Sequence, residues 1–184
     1  MRILLRLLAA FLFIPTVFWN LTWQIGVRRR RWWDEVDDHL VLGAFPMGRH
    51  VPALAALGVG AVVNTCDEYA GPMAAYAAHG IDQLRIPTVD FNAPLLEDVQ
   101  RAVTFMSDHV AAGRRIYVHC KAGRARSATV ALCWLVAHRG MTPEQAQALL
   151  VQRRPQVMRG VFRRQVVADF VRSLERSQGS TGGD

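Results

Sequence analysis

Residues 115–135 read Arg-Ile-Tyr-Val-His-Cys-Lys-Ala-Gly-Arg-Ala-Arg-Ser-Ala-Thr-Val-Ala-Leu-Cys-Trp-Leu. Arg115 to Val118 is an apolar run that reads as a strand, and Ala128 to Val136 reads as a buried helix. Between them lies a loop of small residues with a cysteine at its start and an arginine at its close. Strand, loop and helix N-terminus together form an anion cradle, because the first backbone N–H groups of a helix have no intrahelical partner. The stretch therefore reads as a phosphate site with covalent chemistry.

The residue types fit that chemistry. A free thiol has a pKa of about 8.5, and a helix N-terminus with nearby cations lowers it to roughly 3.5–7.5. A drop of ~3 units needs about 4 kcal/mol of preference for the thiolate. Cys120 is then the nucleophile. The chain between Cys120 and Arg126 is long enough to wrap a tetrahedral oxyanion while Arg126 clamps two of its oxygens. Lys121, Ala122, Gly123, Arg124 and Ala125 supply the cradle, with Gly123 free to turn at positive φ. Ser127 places a hydroxyl near the sulfur, where it eases departure of the thiolate. His119 orients the loop. A bare Cys-x5-Arg pattern is common, but the full order of strand, His-Cys-x-x-Gly-x-x-Arg-Ser and helix is specific. Cys133, mid-helix among apolar residues, reads as core.

Outward from this stretch, apolar runs and breakers order the chain. Strands are expected at Leu40–Ala44, Ala61–Cys66 and Leu84–Pro87, with short helices at His50–Leu57 and Met73–His79. Trp32 to Asp38 reads as a charged linker, Asp67 to Pro72 as a polar turn and Thr88 to Pro94 as a loop. A helix starting at Pro94 or Leu95 carries Val99, Val103, Phe105, Met106 and Val110 at helical spacing and ends at Gly113. The helix from Arg126 to His138 stops at Gly140. The next has Thr142 as its cap, Pro143 at its first position and Gln145 three residues after the cap, and a last helix runs from Phe162 to Leu174. Alternating strands and helices imply an α/β fold, a central mostly parallel sheet flanked by helices. Sites in such sheets lie beyond the carboxyl ends of strands, so Cys66-Asp67 and His119-Cys120 share one crevice.

The 184-residue chain has a net charge of +7, but Arg2, Arg6 and Arg28 to Arg31 precede the first acid, Asp34, and leave the remainder near +1. The basic excess sits beside an apolar segment, which favours a membrane over nucleic acid as partner. Three cysteines at wide spacing argue against a disulfide scaffold and fit no zinc site; no metal or other cofactor is expected. Residues 7–27 carry no charge and are long enough to span a bilayer. Trp19 and Trp23 near the end suit a headgroup belt, and the four arginines that follow favour a single pass with the main domain on the cytoplasmic side. An interfacial anchor or a buried helix are the alternatives. The chain thus divides into an anchor with basic flank at 1–31, a catalytic domain at 32–176 and a disordered Ser/Gly-rich tail at 177–184.

The loop at 119–127 resembles the signature loop of the cysteine-dependent protein tyrosine and dual-specificity phosphatases, and the likeness runs from about Trp33 to Leu174. Within that superfamily the chain is similar to the mitochondrial-type phosphatidylglycerophosphate phosphatases. The residues that carry this are Val36-Asp37 with Leu42 to Pro46, Asp67-Glu68-Tyr69, Gln83 to Asp90, and His119 to Arg124. Arg154-Pro155 and Phe162 to Gln165 look like the segment that follows the loop in dual-specificity members. The resemblance implies a two-step, metal-independent hydrolysis through a phosphocysteine, with Asp90 as the acid that becomes a base. It implies supporting roles for the Asp67-Glu68-Tyr69 turn, where Ala70 stands in place of one further acid of the family. Some lipid-acting relatives carry a cysteine placed like Cys66 that bonds the nucleophile reversibly. A phospholipid phosphomonoester is the implied substrate, with Lys121 and Arg124 as extra cations for its headgroup. Phosphoprotein hydrolysis is the alternative, and a silent phosphate-binding adaptor is a third reading.

Overall fold

The computed structural model describes residues 31–179. The expected span at 7–27 lies outside the described residues, and so do residues 180–184. Among the described residues no helix is long and apolar enough to cross a membrane.

Five strands form one mixed sheet: β1 (Trp33–Glu35), β2 (Leu40–Ala44), β3 (Val59–Cys66), β4 (Asp82–Thr88) and β5 (Arg115–Cys120), in the order β1-β2-β5-β3-β4. β1 runs antiparallel to β2, and the other pairs are parallel. Alternation along each strand sends side chains to opposite faces. Leu40, Leu42, Ile116 and Val118 enter one core, while Val41, Val62 and Tyr117 enter a second. Helices α1 (Val51–Ala56) and α2 (Met73–Ala78) bring Val51, Leu54 and Tyr76 to the second core. The larger core is shared with α3 (Leu96–Ala111), α4 (Arg126–Arg139), α5 (Pro143–Arg153) and α6 (Gln165–Gly179). Residues 126–135 of α4 are all buried, as expected of a helix apolar on every side and packed between others.

Local signals place the helix ends. Thr142 accepts from the Gln145 N–H while Gln145 Oε1 accepts from the Thr142 N–H, a reciprocal cap on α5. Gly140 closes α4 at φ 61°. Two readings are corrected. The charged linker contains β1, with Asp34 opposite Leu42; the Asp34 side chain turns to Arg154, 120 residues along the chain, rather than to solvent. Ser177 to Gly179 continue α6 where a tail was expected.

The four parallel strands finish together. Ala44 stands opposite Cys120, and Cys66 opposite Thr88. The carboxyl edge of the sheet thus delivers Cys120, a second thiol and the start of the Asp90 loop to one place.

Candidate active site

Cys120 is the last residue of β5 and Arg126 the first of α4, so residues 121–125 must turn the chain from strand to helix. Gly123 makes the turn at φ +65°, and a Cβ there would lie 2.4 Å from the Gly43 carbonyl oxygen. No side chain fits at that position.

What aims the loop is Arg154, a buried residue that the sequence reading named only as part of a motif. Its Nε donates to the Gly123 carbonyl at 2.9 Å and its Nη2 to the Ala122 carbonyl at 3.0 Å. In a planar trans peptide the C=O and N–H point opposite ways. Two carbonyls turned to Arg154 therefore turn the Gly123 and Arg124 N–H groups into the cradle. Gly123 N–H donates to Cys120 Sγ at 3.2 Å. Arg154 is itself held by Asp34, with Nη1 2.7 Å from Oδ2, and by the carbonyls of Arg31 and Trp32. No spacing rule in the sequence links Arg154 to Asp34.

The thiol sits among opposing influences. Burial pushes the Cys120 pKa up. The Arg126 guanidinium, the Ser127 hydroxyl at 3.2 Å and the amides of the turn outweigh that and bring it down to about 7. Burial alone pushes Cys133 up to about 12, consistent with a core thiol. Cys66 is also raised, by burial and then by the nearby Cys120 charge. All three cysteines are free.

Arg126 is 1% exposed. Its Nη1 donates to Glu68 Oε2 and to the Thr88 carbonyl, each at 2.8 Å. Its Nη2 donates to Glu68 Oε1 at 2.8 Å and lies 3.0 Å from Asp90 Oδ1. The buried Nε has no partner among the described residues. Glu68 therefore grips the guanidinium in a fork, and on the other edge Nε is open while Nη2 faces Asp90. Asp90 stands in the loop after β4, with Oδ1 against Arg126 and Oδ2 3.9 Å from Lys121 Nζ.

The remaining expected residues are distributed around this centre. His119 is buried and stacked on Tyr117 at 5.7 Å; burial lowers it to about 3, so the ring is neutral, and neither nitrogen has a partner among the described residues. Tyr69 braces the wall, its hydroxyl donating to the Pro46 carbonyl at 2.6 Å and its ring edge-on to Phe45. Asp67 offers its carbonyl to Arg85 Nη2 at 2.7 Å. Lys121 is buried beside Asp90, whereas Arg124 is exposed and donates to the Gln156 carbonyl at 3.1 Å.

A cleft of about 360 Å³ opens above Cys120. Lys121, Arg124, Arg126 and Arg164 line it with Asp90 as the one acid, and Phe91 and Met158 stand at its rim. Among the described residues no group of three His, Cys, Asp or Glu side chains is arranged to hold a metal ion. The arrangement offers a thiolate, inward N–H groups and a fixed guanidinium edge around one point, with a carboxyl group beside it. That suits displacement at a tetrahedral phosphorus.

Comparison with known proteins agrees. Residues 40–170 match the dual specificity phosphatase catalytic domain. The phosphatidylglycerophosphate phosphatase PTPMT2 of Arabidopsis thaliana is 40% identical over 164 residues, which cover 88% of this chain and 72% of the relative. The human phosphatidylglycerophosphatase and protein-tyrosine phosphatase 1 is 33% identical over 148 residues, covering 76% of this chain and 74% of the relative. The crystal structure of PTPMT1 in complex with PI(5)P superposes with a TM-score of 0.74 at 25% identity, over 80% of this chain and 99% of the other.

Proposed function

The chain belongs to the dual specificity phosphatase catalytic-domain family and is a cysteine-dependent phosphoric monoester hydrolase; from that premise we propose that its substrate is a phospholipid phosphomonoester, phosphatidylglycerophosphate or a close analogue. The observation that carries this is the make-up of one cleft, where Lys121, Arg124 and Arg164 add cations around a thiol and an Arg126 Nε with no partner among the described residues. A lipid headgroup with more than one phosphate uses all of them. The name of the Arabidopsis relative gives the same substrate, and that of the human relative gives it together with protein tyrosine phosphate.

In the first step the Cys120 thiolate attacks phosphorus and the ester P–O bond breaks. The phosphoryl oxygens take the Gly123 and Arg124 N–H groups and the Nε–Nη2 edge of Arg126, which releases Asp90 from that edge. Asp90, protonated, gives its proton to the leaving alkoxide. In the second step Asp90 takes a proton from water as the water attacks the phosphocysteine. The P–S bond breaks, and Ser127 donates to the departing thiolate. Acid and base roles thus alternate on one carboxyl group. Glu68 holds Arg126 in plane throughout, and His119 and Tyr69 brace the loop from beneath. We further propose that Cys66 serves as a redox partner of Cys120, and that residues 7–27 serve as a single-pass anchor with residues 32–176 on the cytoplasmic side.

The test is a substrate panel without added metal: vesicle-borne phospholipid monophosphates against phosphopeptides, with Cys120→Ser as control. The lipid reading expects higher kcat/KM on the vesicle substrate and no turnover by the variant. A large preference for phosphopeptides overturns the substrate, and turnover by Cys120→Ser overturns the chemistry.

A further inference from the structure

Four large apolar side chains are conspicuously exposed among the described residues: Met73, Phe91, Leu95 and Met158. Single exposed apolar residues are ordinary. The distribution of these is not. Phe91 (79% exposed) and Leu95 (70%) lie on the Asp90 loop, and Phe91 and Met158 (42%) both stand at the rim of the catalytic cleft. Only Met73 lies elsewhere, at the start of α2, where its sulfur takes the Gln83 amide.

The backbone holds the two rim residues outward. Phe91 has φ +69°, the one non-glycine residue at positive φ among the described residues. Its N–H donates to Asp90 Oδ1 at 3.1 Å, and the next N–H, of Asn92, donates to the Val89 carbonyl. An aromatic residue rarely takes this conformation. Here it sets a ring in solvent instead of under the sheet. Met158 is pinned at both backbone groups, its N–H to the Arg124 carbonyl at 2.9 Å and its carbonyl to Gln147 Nε2 at 3.3 Å. The side chain thus projects from a fixed point. Just inside the rim are Lys121, Arg124, Arg126 and Arg164, the last steadied by Thr129 Oγ1 at 2.9 Å. Apolar tips beyond a ring of cations are the order of layers met on crossing from an anionic headgroup plane into acyl chains.

We propose that Phe91, Leu95 and Met158 form an interfacial rim that enters the headgroup–acyl boundary of an anionic bilayer and seats the mouth of the cleft on the membrane plane. The inference rests on the lipid reading and adds to it the surface that meets the membrane. Charge complementarity selects this occupant over a protein groove: four cations, three from residues 121–126 and one at Arg164, line the mouth against the single acid Asp90, and the apolar tips are separate points rather than one continuous patch.

The test uses the full chain reconstituted in vesicles of phosphatidylcholine and phosphatidylglycerol that carry a phospholipid monophosphate. Phe91→Asn keeps a residue that tolerates positive φ and removes the ring; Met158→Gln keeps side-chain length. Each variant is assayed on the vesicle substrate and on a water-soluble aryl phosphate. The rim predicts an interfacial KM raised about tenfold in the double variant, about 1.4 kcal/mol, against a much smaller loss of kcat/KM on the soluble substrate, which meets the same cleft but no bilayer. Wild-type kinetics for the double variant on vesicles overturn the rim while leaving the lipid reading intact. Equal losses on both substrates overturn it too, and assign Phe91 to setting the Asp90 loop. A wild-type chain inactive on vesicle substrate but active on phosphopeptides overturns the lipid reading and the rim together.

Discussion

Replacing Ser127 with alanine removes the hydroxyl that donates to Cys120 Sγ at 3.2 Å, in a fully buried position on the first turn of α4. Burial pushes the Cys120 thiol up, and Arg126, Ser127 and the turn amides bring it to about 7. A hydrogen bond to a charged acceptor contributes ~1.5–3 kcal/mol, which is about 1–2 pKa units. The hydroxyl favours the thiolate, so its loss raises the pKa. The Ser127→Ala thiol is expected to titrate at about 8–9, and its thiolate fraction at pH 7 falls from about half to roughly a tenth or less. The assay is the rate of iodoacetamide alkylation of the Cys120 peptide against pH, read by mass spectrometry. Cys66 and Cys133, both raised by burial, are internal controls that stay unlabelled. A variant midpoint equal to that of the wild type refutes the role of the hydroxyl, and a wild-type midpoint above about 8.5 refutes the activated thiol itself.

Asp90→Asn is expected to lower kcat on alkyl phosphates by roughly 10²–10⁴-fold and on aryl phosphates far less, because a good leaving group needs no proton; equal losses count against Asp90 as acid. Burial pushes Glu68 up, but its fork to Arg126 outweighs this and holds the carboxyl below the usual range. The unfolded chain therefore binds the extra proton first, so the stabilisation is present above about pH 4.3 and is lost as pH falls through the folded value. Glu68→Gln should show a lower Tm at pH 7 and a gap to wild type that closes on acidification; a gap independent of pH contradicts the fork. Gly123→Ala forces a Cβ to within 2.4 Å of the Gly43 carbonyl at φ +65° and should abolish most activity while costing about 1–3 kcal/mol of stability, measured by denaturant unfolding. Unimpaired turnover would show that the turn tolerates a side chain.

The elements were legible where the signals are local. Apolar runs bounded by glycine marked β2, β3 and β5, and the Thr142 cap marked α5. The Cys120-to-Arg126 loop was legible because strand, loop and helix lie in sequence. β1 was not, since Trp33-Asp34-Glu35 carries no strand pattern and is a strand only because β2 is beside it. The grip of Glu68 on Arg126 spans 58 residues, and that of Arg154 on Asp34 spans 120. Such pairs are set by topology, and a single sequence gives no rule for choosing among its acids.

Arg154 also bears on when the protein becomes reactive. It is made 31 residues after Gly123, whose carbonyl it turns, and it docks on Asp34, 120 residues earlier. A chain emerging from the ribosome exposes Cys120 before the residue that aims the amides around it exists. Until Arg154 docks behind the loop, that cysteine lacks the amides the loop aims at it and is an ordinary thiol, mostly protonated at neutral pH. The activation of Cys120 is thus a property of the fold: its thiolate fraction at neutral pH is higher in folded molecules than in nascent or misfolded ones.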